Sequence, residues 1–190
     1  MSSNVRDVHH TYAEYLSLEE QSSIRHEYLD GEIYAMGGGT PDHAALAAAV
    51  IGLLRTCLPP SCRVFTSDLR IRTSTGLSTY PDAAVVCGKT VRAGDDPIAV
   101  TNPCLLVEVT SPSTERYDRG EKLRHYKSLP SVQEILIVSH HEVLVTIHRR
   151  DNQGNWSIAE AGVGDSVELR SVAGSLAVDE VYRGGLEDLA

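Results

Sequence analysis

Apolar and polar residues recur along this chain with a period that changes from segment to segment, and each change marks an element. Residues 11–18 carry apolar positions at helical spacing behind Thr11, whose hydroxyl can cap the free amides of a first turn, so a short helix is expected there. Residues 25–36 alternate and are split by Asp30-Gly31, a dipeptide suited to the positive φ angles of a tight hairpin, which predicts two short antiparallel strands. Residues 43–58 return to a helical pattern. Thr40 is the expected N-cap, Pro41 the first helical residue and Asp42 a favourable charge at the positive helix end. Alanines at 44, 45, 47, 48 and 49 would let this helix lie close against a sheet, and Pro59-Pro60 ends it.

From Arg63 onward the period falls to two. Residues 63–66, 68–72 and 79–86 read as strands with a turn at 73–78, and residues 90–102 as a polar loop. The run Cys104 to Val109 is apolar and rich in β-formers, as a central strand buried on both faces would be. Residues 113–129 read as helix, 134–138 and 143–148 as strands, and the remainder as further β-strands before a short helix at 179–182. This order places helices against a mixed sheet: an α/β (α+β) class with a mixed central β-sheet flanked by helices and additional C-terminal β-strands.

With 190 residues and no linker or repeat, residues 1–190 are expected to form one domain, residues 1–10 being a polar tail without the apolar core of a signal peptide. A cytoplasmic location and no membrane partner follow as expectations, since no apolar run reaches the roughly 18–20 residues of a membrane span. Cys57, Cys62, Cys87 and Cys104 lie in or beside apolar segments without a Cys-x-x-Cys pair and read as buried, reduced thiols. The net charge of −9 argues against tight, non-specific duplex binding, which normally shows clustered Lys and Arg. A divalent cation bound among carboxylates would offset that charge locally.

Three fragments carry chemistry. Alternation along the 104–110 run puts Glu108 on one face with Leu106 and Thr110, where a carboxylate is costly unless paired, metal-bound or emerging at the solvent end of the strand. Asp82 follows Pro81 and leads into an apolar strand, as a turn residue or as the second carboxylate of a hard-cation site. Two such groups suit Mg²⁺, with Mn²⁺ able to substitute, because this cation keeps water and substrate phosphate in its other positions. Lys122 lies four residues after Asp118 and four before Tyr126, on one helical face, either as an exposed ion pair or as a cation that orients an attacking water. Gly37-Gly38-Gly39 lacks the Gly-Lys-Ser/Thr ending of a nucleotide loop, and no nucleophile elbow surrounds Ser111 or Ser113. Neighbouring strand residues point apart, so the pairs His9-His10 and His140-His141 are expected to be poor chelates.

The run Glu108-Val109-Thr110-Ser111-Pro112-Ser113-Thr114, with Asp118, Lys122 and Tyr126 after it and Tyr80-Pro81-Asp82 before it, resembles the Uma-two family of restriction-endonuclease-like proteins. That family is a branch of the PD-(D/E)XK nuclease superfamily. The likeness extends from Glu27-Tyr28-Leu29-Asp30-Gly31 through His43 to residues 134–138. It implies a Mg²⁺-dependent endonuclease acting on DNA, with Asp82, Glu108 and the Val109 carbonyl as metal ligands and Asp82, Glu108 and Lys122 as the catalytic set. Glu27, His43 and Tyr126 take supporting places: Glu27 in the acidic cluster or as a structural residue, His43 at phosphate or likewise structural. Asp68 is a further candidate, explained equally by pairing with Arg70 and Arg72. The lysine that the superfamily carries two residues after the glutamate is Thr110 here, and Lys122 takes its place. The alternative is a catalytically inactive binding or regulatory module that keeps the fold. A homodimer is left open.

Overall fold

The computed structural model describes residues 9–184 and Leu186. Thr11 caps α1 (Tyr12–Gln21) through a reciprocal capping box with Glu14, each side chain satisfying an amide that the helix leaves free. Strands β1 (His26–Leu29) and β2 (Glu32–Ala35) pair antiparallel across Asp30 and Gly31, whose φ angles of 49° and 90° are those of the expected tight turn. Thr40 accepts from the His43 amide and Pro41 stands at the first turn of α2 (Pro41–Cys57).

The chain then lays down β3 (Cys62–Thr66), the two-residue strands β4 (Ile71–Arg72) and β5 (Ser78–Thr79), β6 (Ala83–Cys87) and β7 (Leu105–Val109). A helical segment follows in three parts: α3 (Glu115–Tyr117), a π-helical turn (Asp118–Lys122) and α4 (Leu123–Lys127). Strands β8 (Glu134–Val138), β9 (Val145–Arg150) and β10 (Trp156–Ala161) come next, then the hairpin β11 (Ser166–Leu169) and β12 (Gly174–Ala177), and α5 (Val178–Tyr182).

The main sheet runs β10-β9-β8-β7-β6-β3, with β7 and β8 parallel and the other neighbours antiparallel; a second sheet runs β2-β1-β5-β4. β7 is central and buried on both faces. Its alternation divides the core in two. Leu105, Val107 and Val109 pack with Leu46, Val50 and Leu54 of α2 and with the C-terminal hairpin and α5. Leu106 faces the other way with Ala84, Val86, Leu123, Tyr126, Ile135 and Ile137. Truncating Leu46 or Leu54, both fully buried, to alanine would cost about 2–5 kcal/mol. Glu108 lies between these apolar neighbours on the strand, so its carboxylate is carried to the face covered by the 115–127 helical segment.

Four expectations change. Residues 68–70 form a turn rather than the start of a strand, and Asp68 pairs with Arg25 at the surface instead of with Arg70 or Arg72. The α2 alanines lie mostly outward, Ala44, Ala45 and Ala48 being exposed, and the close packing comes from the larger Leu46, Val50 and Leu54. Cys62 and Cys87, directly opposite in the β3–β6 register, form a disulfide, leaving Cys57 and Cys104 as thiols. That pairing is set by register between strands 25 residues apart and leaves no local motif. His140 and His141 sit in a turn after β8, not on a strand, and their rings meet edge to face at 4.8 Å between centroids. The expected tail at 1–10 lies outside the described residues up to position 8. His10 is tied down, its amide donating to Gly31 O at 2.8 Å.

Candidate active site

Two polar networks position the 80–82 segment. Tyr80 is buried, its hydroxyl accepting from Arg70 Nε at 2.8 Å and donating to Glu19, while Arg70 Nη1 reaches Asp96 Oδ2 at 2.7 Å. With Tyr80 anchored and Pro81 fixing φ, Asp82 is directed at the end of β7. There its Oδ2 accepts from the Val109 amide at 2.7 Å and lies 3.4 Å from His43 Nε2 at the start of α2. The His43 pKa is raised, first by its hydrogen bond to Asp82 and further by the Val109 carbonyl, against the opposing effect of burial. Asp82, His43 and the Val109 carbonyl therefore meet at one point.

Glu108 meets the helical segment one residue earlier on the same strand. Lys122 Nζ lies 3.0 Å from Glu108 Oε1, 3.0 Å from Glu27 Oε1 and 3.7 Å from Asp118 Oδ1, all four side chains being buried. Tyr126 donates its hydroxyl to Glu108 Oε1, and Thr79 donates to Glu27 Oε1. The π-helical turn from Asp118 to Lys122 widens the helix just where both polar side chains must face the sheet, a distortion common at functional sites.

The electrostatics of the cluster are unbalanced. Burial, with Asp82 and Asp118 close by, pushes the Glu108 carboxyl well above its usual range despite Lys122. Asp118 is raised for the same first reason, and Tyr126 is held neutral by burial and by Glu108. Burial alone would lower the Lys122 pKa, but Glu108, Tyr126, Glu27 and Asp118 together raise it well above the usual value. Lys122 stays charged because it serves three carboxylates; each of them receives only a share of one charge. Glu134, a buried neighbour on β8, offers the contrast. Its two oxygens accept from Arg149 Nε, the Arg170 and Ser171 amides and the Ser171 hydroxyl at 2.6–3.2 Å, a satisfied structural carboxylate.

Glu27, Glu108 and Asp118 thus surround one lysine, and Asp82 stands close to Glu108 and Asp118 with His43 as its own partner. No hydrogen bond from the described residues reaches Asp82 Oδ1 or Glu108 Oε2, and the Val109 carbonyl lies beside them. Carboxylate and carbonyl oxygens are the donor set of a hard divalent cation, so the residues fit Mg²⁺ or Mn²⁺.

The structure brings together Glu27, His43, Asp82, Glu108, Val109, Lys122 and Tyr126, and it leaves Asp68 apart with its side chain 75% exposed. Thr110 follows the end of β7 but bonds outward, its Oγ1 lying 2.8 Å from His140 Nδ1 rather than near Lys122. Sequence reasoning took Asp118 only as the partner of Lys122 and missed Thr79 and Tyr117, both of which hydrogen-bond Glu27. The i,i+4 spacing to Lys122 was the available signal for Asp118; Thr79 and Tyr117 carried none.

A family model described as "Putative restriction endonuclease" matches residues 12–179. An uncharacterized protein of Synechocystis sp., slr1290, is 41% identical over 173 residues, 90% of each chain. A second from the same organism, sll1609, is 30% identical over 161 residues, covering 84% of this chain and 90% of that one. Among solved structures, one described as a "putative nuclease belonging to DUF820" from Anabaena variabilis superposes with a TM-score of 0.69 at 19% identity, over 87% of this chain and 93% of that one. At that identity the likeness is one of fold.

Proposed function

This chain belongs to the Uma2 family, and we propose that it is a divalent-cation-dependent endonuclease that hydrolyses DNA phosphodiester bonds at the Asp82–Glu108–Lys122 cluster. The observation that carries this reading is the buried surplus of carboxylates around a single lysine, with unbonded oxygens of Asp82 and Glu108 beside the Val109 carbonyl. As a purely structural arrangement it is unfavourable, since each uncompensated buried charge weakens the fold. A cation turns the same arrangement into a binding site.

Asp82, Glu108 and the Val109 carbonyl would hold Mg²⁺ or Mn²⁺, which when bound polarises the phosphoryl group and acidifies a water. His43 orients Asp82 by donating Nε2–H to its Oδ2, which leaves Oδ1 as the oxygen that would be offered to a cation. Tyr126 and Lys122 both occupy Glu108 Oε1, and Oε2 is the oxygen that would be offered to a cation. Lys122 is the lysine shared by Glu27, Glu108 and Asp118. Its Nζ–H groups orient the attacking water and stabilise charge growing on the phosphoryl oxygens as the new P–O bond forms and the leaving alkoxide departs. Glu27, fixed by Thr79, holds the lysine's direction.

Thr110 at the superfamily's lysine position, tied to His140, is the observation that favours the second reading, a nuclease-fold module without catalysis. The two are separated by incubating purified protein with supercoiled, linear and single-stranded DNA and with RNA, in Mg²⁺ or Mn²⁺. The nuclease reading expects phosphodiester cleavage of DNA that is absent in Asp82→Ala. Cleavage equal in both proteins, or none on any substrate, would refute it.

A further inference from the structure

Outside this cluster, the described residues bring together a set of metal-ligating side chains of a different chemical kind. Glu115 at the start of α3 and His140 and His141 in the turn after β8 each place a ligand atom within 4.8 Å of the others. From this geometry we infer a second, separate cation site on Glu115, His140 and His141, suited to a borderline transition-metal ion of the Zn²⁺ class rather than to Mg²⁺.

The donor set decides the class. Two imidazoles and one carboxylate match Zn²⁺, Co²⁺ or Ni²⁺, whereas Mg²⁺ takes oxygen ligands almost exclusively. The neighbours orient each ligand from outside the set. His140 Nδ1 lies 2.8 Å from Thr110 Oγ1, and His141 Nδ1 lies 3.3 Å from Ser139 Oγ, both hydroxyl residues being fully buried. With Nδ1–H given to those hydroxyls, each ring turns the lone pair of Nε2 away from them, as metal-ligating histidines are usually held, and His141 Nε2, 3.5 Å from Glu142 Oε1, would exchange that carboxylate for the ion. Glu115 is steadied in the same way: Arg119 Nε donates to its Oε1 at 3.0 Å while Arg119 Nη1 bonds Thr146 Oγ1 at 3.2 Å, leaving Oε2 for a cation.

Closure is within reach. Ligand atoms around a tetrahedral Zn²⁺ at ~2.0–2.1 Å stand about 3.3 Å apart, so separations within 4.8 Å need shrink by no more than about 1.5 Å. The His141 side chain is 51% exposed in a turn and can supply that movement by rotation. Bound, the ion would join the end of β7 through Thr110 and His140 to the start of the helical segment through Glu115. Those are the two ends of the connection between Glu108 and Asp118. The site is independent of the nuclease reading and stands whether or not DNA is cleaved.

Untagged full-length protein titrated with Zn²⁺ by calorimetry, and with Co²⁺ by visible absorption, tests this. Wild type should bind one Zn²⁺ that survives in an Asp82→Asn/Glu108→Gln variant and in His9→Ala/His10→Ala. His140→Ala/His141→Ala should weaken it at least 100-fold and abolish the Co²⁺ ligand-field band. Glu115→Gln, on a different element, should weaken it at least tenfold, which keeps the test decisive should the double histidine variant fold poorly. Unchanged Zn²⁺ affinity in Glu115→Gln and in His140→Ala/His141→Ala would overturn the site. So would loss of the Zn²⁺ in the Asp82→Asn/Glu108→Gln variant alone, since the ion would then belong to the acidic cluster.

Discussion

Replacing Lys122 by methionine keeps much of the side chain's length and apolar volume and removes only the ammonium, which makes it the sharpest perturbation of the cluster. In the native protein Nζ stands 3.0 Å from Glu27 and Glu108 and 3.7 Å from Asp118, and the lysine side chain is 6% exposed. Its loss leaves three buried carboxylates without their shared partner. Breaking one buried pair typically costs about 3–5 kcal/mol, and that range is the expected destabilisation near pH 8 without metal. Glu108 and Asp118 already have raised pKa values, and without Lys122 they rise further. The variant escapes part of the penalty by taking up protons, so the loss should shrink steadily as pH falls toward 5. Denaturant unfolding of both proteins at several pH values in EDTA measures this. A loss below about 1 kcal/mol that does not vary with pH would refute the picture of Lys122 as the hub of a desolvated acidic cluster. Under the nuclease reading the same variant should also lose about 10²–10³ in cleavage rate, on the scale of removing one electrostatic stabiliser.

The other expectations concern neighbouring groups. Glu108→Gln should make the metal-free protein more stable at neutral pH, because a carboxyl whose pKa is raised on folding contributes stability below its unfolded pKa and loses it as pH climbs through the folded value. Thermal melts in EDTA check this, and the gain should vanish below about pH 4. His43 also has a raised pKa, so its ion pair with Asp82 stabilises the fold below the ordinary histidine value of 6.5 and fades as pH rises through the folded value. Comparing wild type with His43→Gln from pH 6 to 9 should therefore show a difference that declines with pH, and a constant difference would exclude the pair. Thiol titration of unfolded, unreduced protein should find two thiols, Cys57 and Cys104, and reducing the Cys62–Cys87 bridge should cost up to about 3.5 kcal/mol for a loop of 25 residues.

Much of the frame was legible because its signals are local. Thr40-Pro41, the Asp30-Gly31 turn and the apolar run into Glu108 each state their own geometry within a few residues. The convergence of Asp82 with Glu108 was expected from their shared chemistry and from family likeness, since β6 and β7 register places them and no sequence period does. Three features were out of reach for physical reasons. The π-helical turn at Asp118–Lys122 preserves the sequence spacing of an ordinary helix, so its widening is invisible until the helix is packed. The Cys62–Cys87 pairing depends on strand register. His140 and His141 were discounted by a strand rule although the expected strand already ended at Val138; that the turn after it brings both rings to Glu115 is a matter of tertiary packing.

The most direct test of the proposed activity is the initial rate of cleavage of one DNA substrate as Mg²⁺ is raised from zero in EDTA-stripped protein, measured in parallel for wild type and Asp82→Asn. The cation site built on Asp82, Glu108 and the Val109 carbonyl predicts a saturable rise from no activity in wild type and no rise in the variant. That substitution removes one ligand charge and keeps the side-chain shape. Cleavage by wild type in EDTA, or an identical Mg²⁺ response in Asp82→Asn, would contradict it.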